Sequence, residues 1–394
     1  MTFPQQPLAS LGTIQTGSTP LTAEQSYWGG NTPFVTPAEL DQIEPVFRTP
    51  RTLSDHGVHQ SRLLQQGAVM VCCIGSLGKI GIAGRTVVTN QQINSIEFDQ
   101  SKVFPKYGFY ACRRLKSTLI SMAPATTIPI VSKSKFAQLE IPLPPLPEQR
   151  RIAAILDQAD ALRAKRREAL AQLDSLTQSI FIEMFGGSLA SGKRTAMGEL
   201  VEEFRYGTSE KSGSKGFPAL RIPNVANGRL DVRELKTVSV EPAEFKRLQL
   251  KAGDLLFVRT NGNPENVGRC AVFEQSLVAG LGFDPAEFIY ASYLIRARLK
   301  RESVSPVVLQ QYLHVGEGRH ALRAVCKTSA GQYNINTDGL GAIPIPCFPL
   351  ALQQTFATRI QAVEALKAAH RAALAELDAL FASLQHRAFA GQLS

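Results

Sequence analysis

A chain of 394 residues, 44% hydrophobic and 19% charged, is long enough for two or more separate cores and too apolar to stay disordered. Its 43 Lys and Arg against 33 Asp and Glu leave a net charge of +10, spread over both halves, which suits a polyanion such as DNA or RNA. No apolar run approaches the roughly 20 residues that span a bilayer. The six cysteines and six histidines form no CxxC pair and no zinc-spaced set, so they exclude a metal-stapled or disulfide scaffold and read as reduced thiols of a cytoplasmic protein without a secretory signal.

In chain order, residues 1–147 are rich in Gly, Pro, Thr and short β-branched runs, and predict a mixed α/β domain. Ala68–Ile74 and Arg85–Thr89 are its clearest strands. Ile141-Pro-Leu-Pro-Pro-Leu-Pro147 then leads into an amphipathic helix over 148–186. Gly187-Ser-Leu-Ala-Ser-Gly192 reads as a flexible hinge, and 187–349 hold a second mixed domain with strands at Asp254–Val258 and Arg269–Phe273. Ile343-Pro-Ile-Pro-Cys-Phe-Pro349 leads into a second helix over 350–391.

The helices and their Pro-rich leads are copies. An offset of 204 carries Gln149 onto Gln353, Leu162 onto Leu366, Asp174 onto Asp378 and Phe185 onto Phe389. A repeat of half the chain implies internal pseudo-twofold symmetry rather than a solenoid. The apolar steps of three and four residues give a seam through Ile152, Leu162, Arg166, Leu173 and Leu176, matched by Leu366, His370, Leu377 and Leu380. A 3.5-residue period predicts a coiled coil, formed by the two copies packed antiparallel. Arg166 and His370 occupy equivalent seam positions, where a polar contact would fix register. The fold class is α+β: two mixed α/β domains joined by two long paired helices.

No motif carries bond chemistry. Gly187–Lys193 nearly spells a P-loop, but Arg194 stands where a hydroxyl must hold Mg²⁺, and no strand precedes it. Asn31-Thr-Pro-Phe34 is similar to the base-gripping loop of amino-methyltransferases, with its first Pro missing and no Gly-rich cofactor loop nearby. Glu244-Phe-Lys246 lacks the Pro-Asp start of a nuclease site. The chain therefore predicts no catalytic residue, no metal and no cofactor of its own. What remains is polar side chains in loops on a basic background. The first domain offers Lys79, Arg85, Asn90, Gln91 and Gln92; the second offers Arg221, Asn224, Arg259, Asn261, Asn263 and Arg269. Arg suits guanine, Asn and Gln suit adenine, and spare cations suit phosphate.

On these residues the chain resembles a specificity subunit of a type I restriction-modification system. The repeated I-P-x-P-x-x-P lead, with Glu148-Gln-Arg-Arg-Ile152 after it, is similar to the opening of that family's two long helices. Gly17-Ser-Thr-Pro20, Tyr27–Leu40, Gly75–Gly81 and Asn90-Gln-Gln92 are similar to its target recognition domains. The second copy departs from the pattern. Leu350-Ala-Leu352 stands where the first helix has only Glu148, and Pro218–Pro223 replaces Pro33–Pro37. The resemblance implies that each domain reads one half of a bipartite site in double-stranded DNA. The helices would set the gap and dock two methyltransferase subunits, which bind S-adenosylmethionine, and a separate restriction and translocase subunit would cut. The competing reading is a DNA-processing enzyme with a coiled-coil dimerisation stem.

Overall fold

A computed structural model describes residues 3–123, 128–225, 228–300, 302–329 and 331–393. The chain divides into two compact units, residues 1–170 with 369–394 and residues 171–368. Each long helix therefore gives one segment to each unit, whereas a division at 147/148, 186/187 and 349/350 treats each helix as a separate piece.

Strands are numbered along the chain. The first unit contains β1 (Gln5–Pro7), β2 (Gly12–Thr16), β3 (Trp28–Val35), β4 (Thr52–Leu53) and β5 (Leu63–Leu64). It continues with β6 (Val69–Cys72), β7 (Ile80–Ile82), β8 (Val87–Thr89), β9 (Ile93–Phe98) and β10 (Glu140–Pro142). The second unit contains β11 (Arg194–Ala196), β12 (Val201–Tyr206), β13 (Phe217–Leu220), β14 (Lys236–Val238), β15 (Leu255–Val258) and β16 (Thr260–Asn261). After these come β17 (Cys270–Val272), β18 (Ile289–Tyr290), β19 (Leu294–Leu299), β20 (Lys327–Ser329), β21 (Gln332–Asn334) and β22 (Pro344–Pro346).

The two units share a central topology. Unit 1 has a sheet of order β2-β9-β6-β7, and unit 2 has β12-β19-β15-β17. Beside these, β3 runs parallel to β8 and β13 parallel to β18. Val69–Cys72 and Leu255–Val258 are buried at every residue, which explains why they read as continuous apolar runs rather than alternating ones. The Pro-rich leads are strands as well. Glu140–Pro142 pairs antiparallel with Gln5–Pro7, and Pro344–Pro346 with Arg194–Ala196. Proline is tolerated there because each sheet has two strands and both are edges.

The long helices span Leu146–Ala190 and Leu350–Phe389. The first does not stop at Gly186-Gly187, and the expected Gly/Ser hinge is helical through Ala190. Ser191 N still donates to Gly187 O, and the chain turns only at Gly192, where φ is +72°. Phe185 supplies the reason: it is fully buried among Phe181, Phe348 and Phe356, which holds this turn of helix in place.

Within each unit the two segments run antiparallel. In unit 1 Arg163 pairs with Asp378, and Arg166 Nη1 lies 3.2 Å from His370 Nδ1. In unit 2 Thr177 and Asp174 meet Lys367, while Phe181 and Phe185 meet Phe356. The seam frame differs from the apolar reading. Ile152 is buried as expected, Leu173 and Leu377 are half-buried, but Leu162, Leu176, Leu366 and Leu380 are all about half exposed. The buried positions are Leu156, Thr177, Ile360, Lys367 and Phe381, with Arg163 largely covered. The 3.5-residue step is retained and the frame moves by one. Paired charges and a hydroxyl occupy the inner positions, and they satisfy one another there.

Candidate nucleic-acid interface

Three loops of unit 1 meet where β2 and β6 end and β9 begins. Gly17 N donates to Ile93 O (3.0 Å), Ser18 N to Thr89 O (2.9 Å) and Cys73 N to Gln92 O (2.8 Å). Unit 2 repeats this ladder: Gly207 N to Leu294 O (3.4 Å), Thr208 N to Tyr290 O (3.0 Å) and Arg259 N to Tyr293 O (2.9 Å). Only glycine fits the first rung. A Cβ on Gly17 would lie 2.2 Å from Asn90 O, and one on Gly207 would lie 2.3 Å from Tyr290 O. The backbone is thus the same while the side chains on it differ: Cys73, Gln91 and Gln92 in one unit correspond to Arg259, Ser292 and Tyr293 in the other.

The sequence candidates divide on this frame. Gln91 is exposed at the loop junction and accepts from the Thr19 hydroxyl, while Gln92 Nε2 donates to Ile74 O (3.4 Å). Lys79 is half-buried and donates to Pro37 O (3.2 Å). In unit 2 Arg259 is exposed, stacked 4.8 Å over the Tyr206 ring. Asn261 ends β16 and Asn263 lies in the loop after it; they accept from the amides of Asn263 and Glu265 respectively. Arg269 donates to Glu265 O (2.7 Å) in the same loop. Arg221 follows β13 at this end, half-buried, with a buried Nε that has no hydrogen-bond partner among the described residues.

Three expectations need correction. Asn224 is 2% exposed, and its side chain already accepts from Arg221 N and donates to Asp231 O and Glu234 O. It ties a loop together and presents no free edge. Asn90 is 8% exposed and closes on Gln92 through both its Oδ1 and Nδ2. Arg85 is exposed but follows β7, whose last residue Ile82 pairs with Val69 at the far end of the sheet. Sequence inspection also passed over Tyr206, Ser292 and Tyr293. The signal was positional, because Tyr293 stands immediately before β19 as Gln92 stands before β9.

The buried thiols and the buried imidazole of the two units are neutral. Burial pushes the Cys73 thiol up to about 11 and that of Cys112 to about 12, and raises Cys270 as well. None is a thiolate at neutral pH. His314 is driven down to about 4, chiefly by burial and then by the Arg269 and Arg319 guanidiniums, and its neutral ring accepts from Cys270 N (3.3 Å). Among the described residues no group of three or more His, Cys, Asp and Glu could hold a metal ion, and no helix is long and apolar enough to cross a membrane.

The helix segments carry a duplicated polar clamp. In unit 1 Arg163 binds Asp160 on its own helix and Asp378 on the other (2.6 Å to Asp378). In unit 2 Lys367 binds Glu364 on its own helix and Asp174 on the other, each at 2.9 Å. The offset of 204 maps 160, 163 and 174 onto 364, 367 and 378, so the two clamps are equivalent. In unit 1 the clamp also reaches the mixed domain. There Arg113 reaches Asp160 (2.6 Å), and Tyr110 and Lys106 reach Asp157 (2.7 and 2.9 Å).

Comparison with known proteins decides what this duplicated frame is. Residues 5–172 match the type I restriction modification DNA specificity domain. The chain is 26% identical over 300 residues to the type I restriction enzyme EcoKI specificity subunit of Escherichia coli (strain K12), covering 71% of this chain and 63% of that one. It is also 26% identical over 311 residues to the MjaIX specificity subunit of Methanocaldococcus jannaschii, covering 77% and 65%. Residues 5–172 thus resemble the type I DNA specificity domain, and the chain as a whole is similar to type I specificity subunits. Its matched stretch spans just under two thirds of those relatives' own length. The fold agrees across nearly the whole chain. The S subunit of a type I restriction-modification system from M. genitalium superposes with a TM-score of 0.55 at 15% identity, over 99% of this chain and 96% of that one. In a type I specificity fold, two equal ladders bearing unequal side chains are the feature that bears on function.

Proposed function

We propose that this chain is the sequence-specific DNA-recognition subunit of a type I restriction-modification complex, and that each unit reads one half of a bipartite site in double-stranded DNA. The observation that carries this is the shared loop ladder with different side chains: Gln91 and Gln92 against Ser292, Tyr293 and Arg259. One scaffold presenting two chemistries suits an asymmetric target, and base edges are distinguished by such polar and cationic side chains. The net charge of +10 supplies attraction to phosphate.

The long helices act as the spacer between half-sites and as the docking surface for two methyltransferase subunits. The four exposed leucines support this. Leu162 and Leu380 belong to unit 1, and Leu366 and Leu176 are their repeat equivalents in unit 2. One apolar patch per unit, of the same composition, fits two copies of one partner. This subunit supplies recognition and geometry and no bond chemistry. S-adenosylmethionine belongs to the methyltransferase, and cleavage to a restriction and translocase subunit. The location is cytoplasmic, where its DNA and partners are.

The test is to express the chain with a type I methyltransferase subunit and to map methylated adenines genome-wide. A bipartite motif with a fixed gap is the expected result. A continuous palindrome, or no motif, overturns the reading.

A further inference from the structure

Unit 2 carries an additional sheet, β16-β21-β20, which has no counterpart among the described residues of unit 1. It grows from a position that unit 1 uses for one bridge only. Ile74 bridges Ile130 in unit 1, with Val131 N donating to Cys73 O. At the equivalent place Thr260 pairs with Asn334, and Ile335 N donates to Arg259 O. Unit 2 adds a further strand, in which Lys327 pairs with Asn334 and Thr328 with Tyr333.

Alternation along these strands sorts the residues by face. Tyr333 packs against the unit 2 core, and the buried Ile335 closes the base of the ribbon. The opposite face then carries Thr260, Lys327, Gln332 and Asn334. The 2.9 Å hydrogen bond from Thr260 Oγ1 to Gln332 Oε1 confirms that these two share it. Lys327 and Gln332 are exposed, and among the described residues the Gln332 amide nitrogen has no partner. The ribbon also abuts the recognition loops. Tyr206, stacked under Arg259, accepts from Thr337 N (3.3 Å) just beyond β21. A major groove admits a two-stranded ribbon, and Gln and Asn pair with adenine there.

We infer that the β20–β21 ribbon is a base-reading element of the unit 2 half-site, with Gln332 and Asn334 contacting an A·T pair and Lys327 a phosphate. This rests on the function proposed above. Gln332→Ala with Asn334→Ala, in the full chain expressed with its methyltransferase, is expected to weaken base preference about tenfold or more at a position of one half-site. The other half and the gap are expected to stay unchanged. Lys327→Ala is expected to lower binding of all sequences and to flatten the salt dependence. Melting of the purified variants, together with Gln332→Glu, which keeps length and polarity, separates reading from folding. Gln332→Glu is expected to change the base preferred at the same position. If the wild-type chain yields a bipartite motif and all of these variants yield the same motif, the ribbon assignment fails alone. If the wild-type chain yields none, the reading beneath it fails too.

Discussion

The two clamps occupy equivalent positions, yet the same substitution should have very different consequences in them. The Asp160 side chain is 0% exposed and accepts charged hydrogen bonds from Arg113 and Arg163. Asp160→Asn removes the charge those guanidiniums face. Each such bond contributes about 1.5–3 kcal/mol. Arg163 keeps Asp378, and Arg113, 31% exposed, partly rehydrates. The expected loss is therefore about 3 kcal/mol, at the lower end for breaking a buried ion pair. Glu364 is 47% exposed, and its partner Lys367 retains Asp174 at 2.9 Å and the Thr177 hydroxyl at 3.0 Å. Glu364→Gln should cost about 0.5 kcal/mol. Hydrogen exchange in increasing urea separates the units. Peptides from 105–113 and 375–389 report unit 1, and those from 306–314 and 350–368 report unit 2. Equal costs at the two sites, or a loss below about 1 kcal/mol for Asp160→Asn, would refute the argument that burial of the carboxylate rather than its repeat position sets the energy.

Acid should selectively weaken unit 2. His314 titrates near 4 when folded, below its ordinary 6.5, so the unfolded chain binds the extra proton. Stability is full above pH 6.5 and falls by about 3 kcal/mol as pH drops through 4; His314→Gln should remove that slope in pH-dependent urea melts, and an unchanged slope would assign it elsewhere. Gly17→Ala and Gly207→Ala should each force their loop ladder apart, degrading one half-site each in methylation maps while leaving the other intact. Inserting one heptad into each long helix should widen the gap between half-sites by about 10 Å, or about three base pairs, with both halves unchanged; altered half-sites would show that the units do not read independently.

The repeat was legible because a helix seam and its Pro-rich lead leave periodic traces in sequence. So were the buried strands around Val69 and Leu255, since continuous apolar runs survive without an alignment. The seam frame was misread because hydrophobicity alone cannot see a buried pair of opposite charges. Arg163 and Lys367 look like surface residues until Asp378 and Asp174 are known to face them. Asn90 and Asn224 misled for the opposite reason: a loop asparagine offers the same chemistry to its own backbone as to a base. Tyr293 and the β20–β21 ribbon were not legible because their placement beside the loop ladder comes from tertiary structure, and nothing in Gln332-Tyr-Asn334 marks it locally.

What the two copies preserve follows from how much each interaction demands. The clamps need only opposite charges at reach, so Arg163 with Asp160 in one copy becomes Lys367 with Glu364 in the other. Gln149 and Gln353 remain identical because their task is stricter. Gln149 accepts from Phe104 N (2.8 Å) and donates to Lys102 O and Pro144 O, while Gln353 accepts from Ser305 N (2.6 Å) and donates to Phe348 O. A side-chain amide accepts through its oxygen and donates through its nitrogen without a charge, and asparagine is one methylene too short for the same reach. Both glutamines are almost fully buried, so a carboxylate or an alkyl group there would strand a backbone partner. The recognition loops demand least of all. Their ladder is backbone to backbone, with glycine at one rung, so the side chains on it can differ between the two units without disturbing it.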